Sequence, residues 1–99
     1  MNEYLLLMHA GAQMEASDLP HTWPAYFATL RAAGVFQGGS AIGGGICVSK
    51  AGAGADIARH LAGYIRVRAD SLDAARALLA GNPVYEAGGT VEIRELPPS

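Results

Sequence analysis

The histidines are the side chains of this 99-residue sequence best suited to proton transfer, because imidazole changes its charge near neutral pH. His9 ends the apolar run EYLLLMH, which predicts a strand that presents a titratable group at its end. His60 follows Asp56 by four residues, a spacing that brings two side chains together on a helix or a turn. A carboxylate beside an imidazole fixes its tautomer and makes it a stronger base. We therefore take His9, His60 and Asp56 as the candidate catalytic residues.

Each histidine also has a purely structural interpretation. A strand-end histidine such as His9 can bond a loop carbonyl, and Asp56 with His60 can form an exposed ion pair of little energetic consequence. His21 precedes a predicted helix, where a solvated surface position is the usual one. The residue types alone leave both interpretations open.

The segment YIRVRA alternates polar and apolar side chains and predicts the strongest strand of the chain. Arg66 and Arg68 lie two positions apart, so both guanidinium groups point to the same face. Arginine binds carboxylates and other planar anions through two parallel hydrogen bonds, which suits an anion site. The alternative is that these arginines pair with Glu3 or Glu92 on neighbouring strands, or with a partner subunit.

Two aromatic side chains complete the candidate ligand-binding set. Tyr64 shares the face of the arginines and is equally consistent with a pocket wall and with a packed aromatic residue. Trp23, at the start of a helix, is more typical of a core residue than of a ligand platform in a small domain. The candidate ligand-binding residues are Tyr64, Arg66, Arg68 and Trp23.

The composition argues against several classes of function. A single cysteine, Cys47, allows no intramolecular disulfide, and three histidines far apart in the sequence make a structural zinc site unexpected. We therefore expect no metal and no other cofactor. The net charge of -2, without a basic cluster beyond Arg66 and Arg68, disfavours nucleic acid as a partner. The N-terminal MNEYLLLMHA lacks the basic start of a signal peptide and the length of a membrane-spanning helix, so we expect a cytoplasmic location away from membranes.

The elements that would position these residues follow from the hydrophobic pattern. Residues 3–9 are apolar at successive positions, as in a central strand covered on both faces. A helix is predicted to start at Thr22, or further upstream at Ser17 or Asp18, and to end at Gly34. The inward stripe of this helix comprises Trp23, Phe27 and Leu30.

The second half of the chain continues the alternation of strands and helices. The further predicted strands are residues 35–42, 46–50, 57–69 and 90–96. Asp70 and Ser71 cap a second helix, and the sequence Gly81-Asn82-Pro83 stops it. The segment PVYEAGG is predicted to be a loop. The inward residues predicted for this helix are Leu72, Ala75, Leu78 and Leu79.

The predicted order β-α-β-(β)-β-α-β is typical of an α+β, ferredoxin-like fold, with two helices on one face of an antiparallel sheet in a single domain over residues 1–99. The opposite face would carry polar side chains, and it meets either water or the sheet of a partner. Charged residues make up only 16% of the chain and hydrophobic residues 51%, which favours a buried subunit interface.

Several segments also match a known family in their order and spacing. They are EYLLLMH at the first strand, Ala33-Gly34 at a helix end, Gly63-Tyr64, Ser71-Leu72-Asp73 and GTVEIR from Gly89 to Arg94. Together they resemble the YCII-related family, in its DGPF-domain branch, over nearly the whole chain. That family forms a dimeric α/β barrel in which two subunits oppose their sheets. The resemblance therefore implies a homodimer in which Tyr64, Arg66 and Arg68 lie on an internal face that lines a cavity.

The chain departs from the family pattern at two places. The DGPF motif is degenerate, because Ala53 and Gly54 stand at its proline and phenylalanine positions when the sequences are aligned on Gly63. Another branch of the family carries a histidine and an aspartate on the first helix, proposed as an acid/base pair. Those positions are Trp23 and Ala32 here, so that pair is absent.

These patterns lead to one leading hypothesis and two alternatives. The leading one is a bacterial YCII-related protein that holds a small, anionic organic molecule in a cavity between sheet and helices. His9, or His60 oriented by Asp56, would move a proton, and Arg66 or Arg68 would stabilise oxyanion charge. The first alternative is a non-catalytic binding or regulatory module, since relatives in this branch are linked with sigma-factor regulation of transcription. The second is a structural dimer with no ligand, whose polar face is filled with salt bridges between subunits.

Overall fold

A four-stranded antiparallel sheet organises the fold of the chain. The computed structural model describes residues 1–10, 22–53 and 55–98. Within these residues the elements are β1 (Asn2–His9), α1 (Trp23–Ala32), β2 (Phe36–Ala41), β3 (Val48–Ser49), β4 (Gly52–Ala53), β5 (Leu61–Ala69), α2 (Leu72–Ala77), α3 (Pro83–Glu86) and β6 (Val91–Leu96). No helix in the described ranges is long and apolar enough to span a membrane.

β1 lies at the centre of the sheet, whose strand order is β2-β5-β1-β6. It pairs antiparallel with β5 on one side and with β6 on the other, so Leu6 lies between Ile65 and Ile93. This arrangement is that of a ferredoxin-like sheet, which confirms the predicted α+β class. The strand predicted at residues 46–50 is shorter, and it pairs as β3 with β4 in a separate ribbon rather than joining the sheet.

One face of the sheet packs under the helices. Alternate residues of β1 and β5 are buried, and Leu6 and Val67 are each 0% exposed. Tyr26 and Leu30 of α1 and Ala75 of α2 complete this core. Because successive side chains of a strand point to opposite faces, the intervening residues lie on the other side of the sheet. This open face consists of Glu3, Leu5, Leu7, His9, Tyr64, Arg66, Arg68, Glu92 and Arg94.

Polar caps start the first two helices at the predicted residues. The hydroxyl of Thr22 accepts a hydrogen bond from a backbone N–H of α1 at 3.3 Å, and Ser71 does the same for α2 at 3.1 Å. Gly34 follows α1 with a φ of +73°, a left-handed conformation that favours glycine. The predictions for Thr22, Ser71 and Gly34 are confirmed. The alternative caps Ser17 and Asp18 lie outside the described residues.

The segment after α2 is helical, although its sequence predicts a loop. Asn82 is 0% exposed, and its side-chain oxygen accepts hydrogen bonds from the backbone N–H groups of Val84 and Tyr85 at 3.0 and 3.1 Å. This cap, with Pro83 at the first helical position, starts the single turn of α3. The loop prediction was wrong because the residues that stop α2 also start the next helix.

Two details of helix packing differ from the predicted stripes. Leu72 is 56% exposed because it is the first residue of α2, ahead of the turn that packs on the sheet. Tyr26 was missing from the predicted stripe of α1, yet it is only 2% exposed, and its hydroxyl donates to the carbonyl of Leu78 at 2.8 Å. Burial raises the pKa of Tyr26, an effect that the side chain of Asn82 partly opposes. A stripe defined by apolar residues alone omits a tyrosine whose hydroxyl finds a partner inside the protein.

The hydrogen bond of Tyr26 gives a direct test of this packing. Replacing Tyr26 with Phe keeps the ring but leaves the carbonyl of Leu78 without its donor, so we expect a loss of about 1 kcal/mol in the free energy of unfolding, measured with urea. Tyr85→Phe is the matched control, because Tyr85 is 49% exposed and should change stability by less than about 0.5 kcal/mol. Equal losses in both variants would contradict the role of this bond.

Candidate functional site

The register of the sheet brings His9 next to a carboxylate. Leu7 lies opposite Glu92 in the pairing of β1 with β6, and the backbone N–H of His9 donates to Thr90 at 3.0 Å. His9 and Glu92 are therefore diagonal neighbours on the open face. The Nε2 atom of His9 lies 3.0 Å from Oε1 of Glu92, and both side chains are partly buried. The sequence-distant pair forms a hydrogen bond that can also be an ion pair when the imidazole is protonated.

His60 joins this pair from the turn that leads into β5. Its carbonyl accepts a hydrogen bond from the backbone N–H of Ala10 at 2.6 Å, which holds the two chain segments together. The rings of His9 and His60 meet edge to face, with centroids 4.8 Å apart and an interplanar angle of 80°. His9, His60 and Glu92 each offer one nitrogen or oxygen atom, and these three atoms lie within 4.8 Å of one another. We call these three residues the histidine cluster.

Arg94 stabilises the ionised form of the carboxylate in the histidine cluster. Its Nη1 donates to Oε2 of Glu92 at 3.1 Å. This bond, and after it the hydrogen bond with His9, lowers the pKa of Glu92 below its ordinary value. Glu92 is therefore ionised near neutral pH and can only accept hydrogen bonds. It follows that Nε2 of His9 carries the hydrogen of the shared bond, which leaves Nδ1 with the lone pair when the ring is neutral.

A cavity of about 580 Å³ lies between the sheet and α1, beside the histidine cluster. Its described wall comprises Met8, His9, Ala10, Trp23, Phe27, Gly39, Ser40, Ala41, Ala62, Gly63, Tyr64, Ile65 and Val84. The rings of Trp23 and Phe27 lie 5.7 Å apart at a tilt of 30° and form an aromatic side of the cavity. This described wall contains no Asp, Glu, Lys or Arg. His9 belongs both to the wall and to the histidine cluster.

The glycine at position 39 is required by the close approach of two strands at this wall. A Cβ atom at Gly39 would lie 2.5 Å from the backbone oxygen of Tyr64, which is closer than any real side chain comes. β2 pairs with β5 here with an irregular register between Phe36 and Gly38. Gly39 therefore permits the close packing of β2 on β5.

The structure brings together only part of the predicted catalytic set. His9 and His60 are in ring contact, but Asp56 is exposed, and within residues 1–10, 22–53 and 55–98 no hydrogen bond or ion pair joins it to His60. The carboxylate that contacts an imidazole is Glu92 instead. Alternation in the last strand already places Glu92 on the open face, but only the register of β1 with β6 identifies His9 as its partner.

The predicted ligand-binding set is divided between two regions. Trp23 belongs to the wall of the cavity. Tyr64 lies on the open face with Arg66 and Arg68 and also contributes to that wall, whereas the two arginines do not. Arg66 donates to Glu3 at 3.1 Å, which is one of the cross-strand pairings that the sequence left open. The side chain of Arg68 has no hydrogen bond or ion pair within the described part of the chain. His21 lies outside the described residues.

Comparisons with known proteins agree with this fold. The model of the YCII-related domain family matches residues 3–98. None of the curated proteins searched gives a significant match. Among solved structures, the chain is similar to 5-chloro-2-hydroxyhydroquinone dehydrochlorinase from Burkholderia phenoliruptrix, in complex with 2,5-dihydroxybenzoquinone. The TM-score is 0.59 at 17% identity, over 96% of this chain and 93% of that one, so this likeness concerns the fold.

The hydrogen bonds of Glu92 with Arg94 and His9 predict how substitutions change the pKa of its carboxyl group. Arg94→Ala should raise the pKa of Glu92 towards its ordinary value, and His9→Ala should raise it by less. Because the folded-state pKa is lowered, ionised Glu92 favours folding above its ordinary pKa of about 4.5, and this contribution disappears as the pH falls through the lowered value. A carbon-detected NMR titration of the Glu92 carboxyl measures both variants. A larger rise in His9→Ala than in Arg94→Ala would contradict this assignment.

Proposed function

The chain belongs to the YCII-related domain family, and we propose that it binds a small organic molecule in the cavity between the sheet and α1. The observation that carries this proposal is the cavity itself. Its volume of about 580 Å³ lies within the range of roughly 300–1,000 Å³ that is usual for small-molecule sites. Trp23 and Phe27 offer ring faces, and His9 and Ser40 add polar groups to an otherwise apolar wall.

The wall chemistry favours a ring compound that is neutral or weakly acidic. The sequence favoured an anion held by Arg66 or Arg68, but these side chains lie outside the cavity, and Arg66 is already paired with Glu3. A fully charged ligand in the cavity would have to lose its hydration without a compensating cation from the described wall. A phenol or quinone avoids this cost. The structurally similar dehydrochlorinase is likewise in complex with a dihydroxybenzoquinone.

We further propose that His9 transfers a proton to or from the bound molecule. Glu92 takes the orienting role that the sequence analysis assigned to Asp56, because an ionised carboxylate on Nε2 fixes the tautomer and strengthens the base. His60 lies against the ring of His9 and is exposed, so it offers a second imidazole on the solvent side. Such a pair suits proton abstraction from a hydroxyl or an activated carbon.

The binding proposal predicts which side chains a ligand needs. In a thermal-shift screen of phenols, quinones, lactones and aromatic carboxylates, run with EDTA, we expect phenols or quinones to raise the melting temperature. Phe27→Ala should weaken the best binder at least about fivefold by calorimetry, because it removes an aromatic face of the cavity. Tyr85→Ala is the matched control, since Tyr85 is a largely exposed aromatic residue outside the wall. Weakening by Arg66→Ala but not by Phe27→Ala would place the ligand on the open face instead.

The catalytic proposal predicts a separation of binding from turnover. His9→Ala should slow conversion of a bound compound by about 10²–10⁴-fold, the usual contribution of a general acid or base, while changing its dissociation constant little. Asp56→Asn is the control, because no hydrogen bond or ion pair among the described residues joins Asp56 to His9 or His60. Conversion is followed by chromatography of the reaction mixture. A compound that binds the wild type but is never converted would favour the non-catalytic binding module.

We also propose that the open face pairs with the open face of a second copy. Leu5 and Leu7 are only partly buried at its centre, and they are flanked by the ion pairs of Arg66 with Glu3 and Arg94 with Glu92. An apolar centre with a polar rim is typical of subunit interfaces. This arrangement supports the homodimer that the sequence predicts. A cytoplasmic location also stays a prediction of the sequence.

Light scattering tests the homodimer. We expect twice the chain mass of 10.2 kDa for the wild type and the mass of one chain for Leu7→Glu, because a buried unpaired charge opposes association. Leu72→Glu is the matched control, since Leu72 is exposed on a helix away from the open face. A wild-type protein with the mass of one chain would exclude the opposed-sheet dimer.

A further inference from the structure

We infer that the histidine cluster is a binding site for a divalent transition-metal ion, with His9, His60 and Glu92 as its protein ligands. The sequence argued against a metal because its histidines are far apart along the chain. The fold removes that objection by placing the end of β1, the turn before β5 and the start of β6 side by side.

The distances in the histidine cluster suit an ion after small side-chain movements. Bonds of about 2.0–2.1 Å to nitrogen or oxygen place two ligands of a tetrahedral centre about 3.3 Å apart. Nε2 of His9 and Oε1 of Glu92 are 3.0 Å apart, which is close to that separation. His60 completes the set within 4.8 Å, and its exposed ring can turn towards the other two atoms. The partly buried pair would anchor the ion, and His60 would close the site from solvent.

The donor set points to a particular class of ion and site. Imidazole suits zinc, iron, copper and nickel, and two histidines with one carboxylate leave coordination positions open for water or a ligand oxygen. This is the chemistry of reactive metal sites rather than of closed structural ones. Arg94 bonds Oε2 of Glu92, so Oε1 remains available, and the same bond orients the carboxylate as outer-shell partners of metal ligands do.

The inference does not rest on the proposed ligand of the cavity. An ion at the histidine cluster would take the place of the proton that His9 shares with Glu92, so metal binding and proton transfer by His9 exclude each other. Metal binding is therefore measured without any organic compound, and the ligand screen is run with EDTA. Failure of one experiment leaves the outcome of the other unaffected.

Titration with Co²⁺ and Zn²⁺ tests the site. The untagged full chain carries Cys47→Ser in every sample, because the exposed thiol of Cys47 could bind either ion by itself. We expect one ion per chain by calorimetry, with visible Co²⁺ absorption of nitrogen and oxygen coordination. His60→Gln and Glu92→Gln should each weaken metal binding at least about tenfold. Removing an outer-shell partner of a metal ligand typically weakens metal binding by about that factor, and removing the ligand itself should weaken it at least as much.

Two matched controls separate this site from general surface binding. Asp73→Asn removes an exposed carboxylate of α2 outside the cluster, and Glu3→Gln removes a carboxylate elsewhere on the open face. Both should bind as tightly as the parent protein. Absence of saturable binding, or equal affinity in the parent, His60→Gln and Glu92→Gln, would overturn the inference. Circular dichroism of each variant shows that the fold is retained, and His60→Gln changes an exposed side chain that no core contact requires.

Discussion

The antiparallel register of β1 between its two neighbours is the constraint on which the rest of the structure depends. It places Leu6 against Ile65 and Ile93 in the core and, by the same alternation, His9 on the open face near Glu92. A slip of one residue would exchange the two faces of β1 and bring polar side chains under the helices. The burial of the apolar residues therefore fixes the position of the histidine, so that core packing and site geometry have one physical cause.

The same register divides the chemistry of the protein between two faces. The helix side of the sheet has the aromatic cavity, whose described wall contains no formal charge, and the open face has the paired arginines and glutamates. An ion pair near solvent contributes little to stability, but it neutralises charge that would otherwise oppose the approach of a second sheet. The division therefore keeps the guanidinium groups of the open face out of the described wall of the cavity.

The sequence was most informative where local rules decide the structure. The helix-capping roles of Thr22, Ser71 and Gly34 depend only on residues nearby in the sequence. The alternation in β5 likewise identifies its buried face without any knowledge of the neighbouring strands. The sequence was least informative where contacts between distant segments decide the structure. The burial of Tyr26 depends on a carbonyl 52 positions away, and Glu92 meets His9 across 83 positions of sequence. No periodicity contains that information, because a strand pattern predicts which face a residue occupies but not which residue lies opposite.

The long separation along the chain also links the chemistry of the histidine cluster to folding. His9 and Glu92 have no reason to meet in the unfolded chain, since closing so long a loop costs entropy that only the complete sheet offsets. A metal ion at the assembled cluster would therefore bind the native state in preference to the unfolded one. Such binding raises the free energy of unfolding by mass action. A small domain with a modest core would thus gain stability from an ion bound at this cluster.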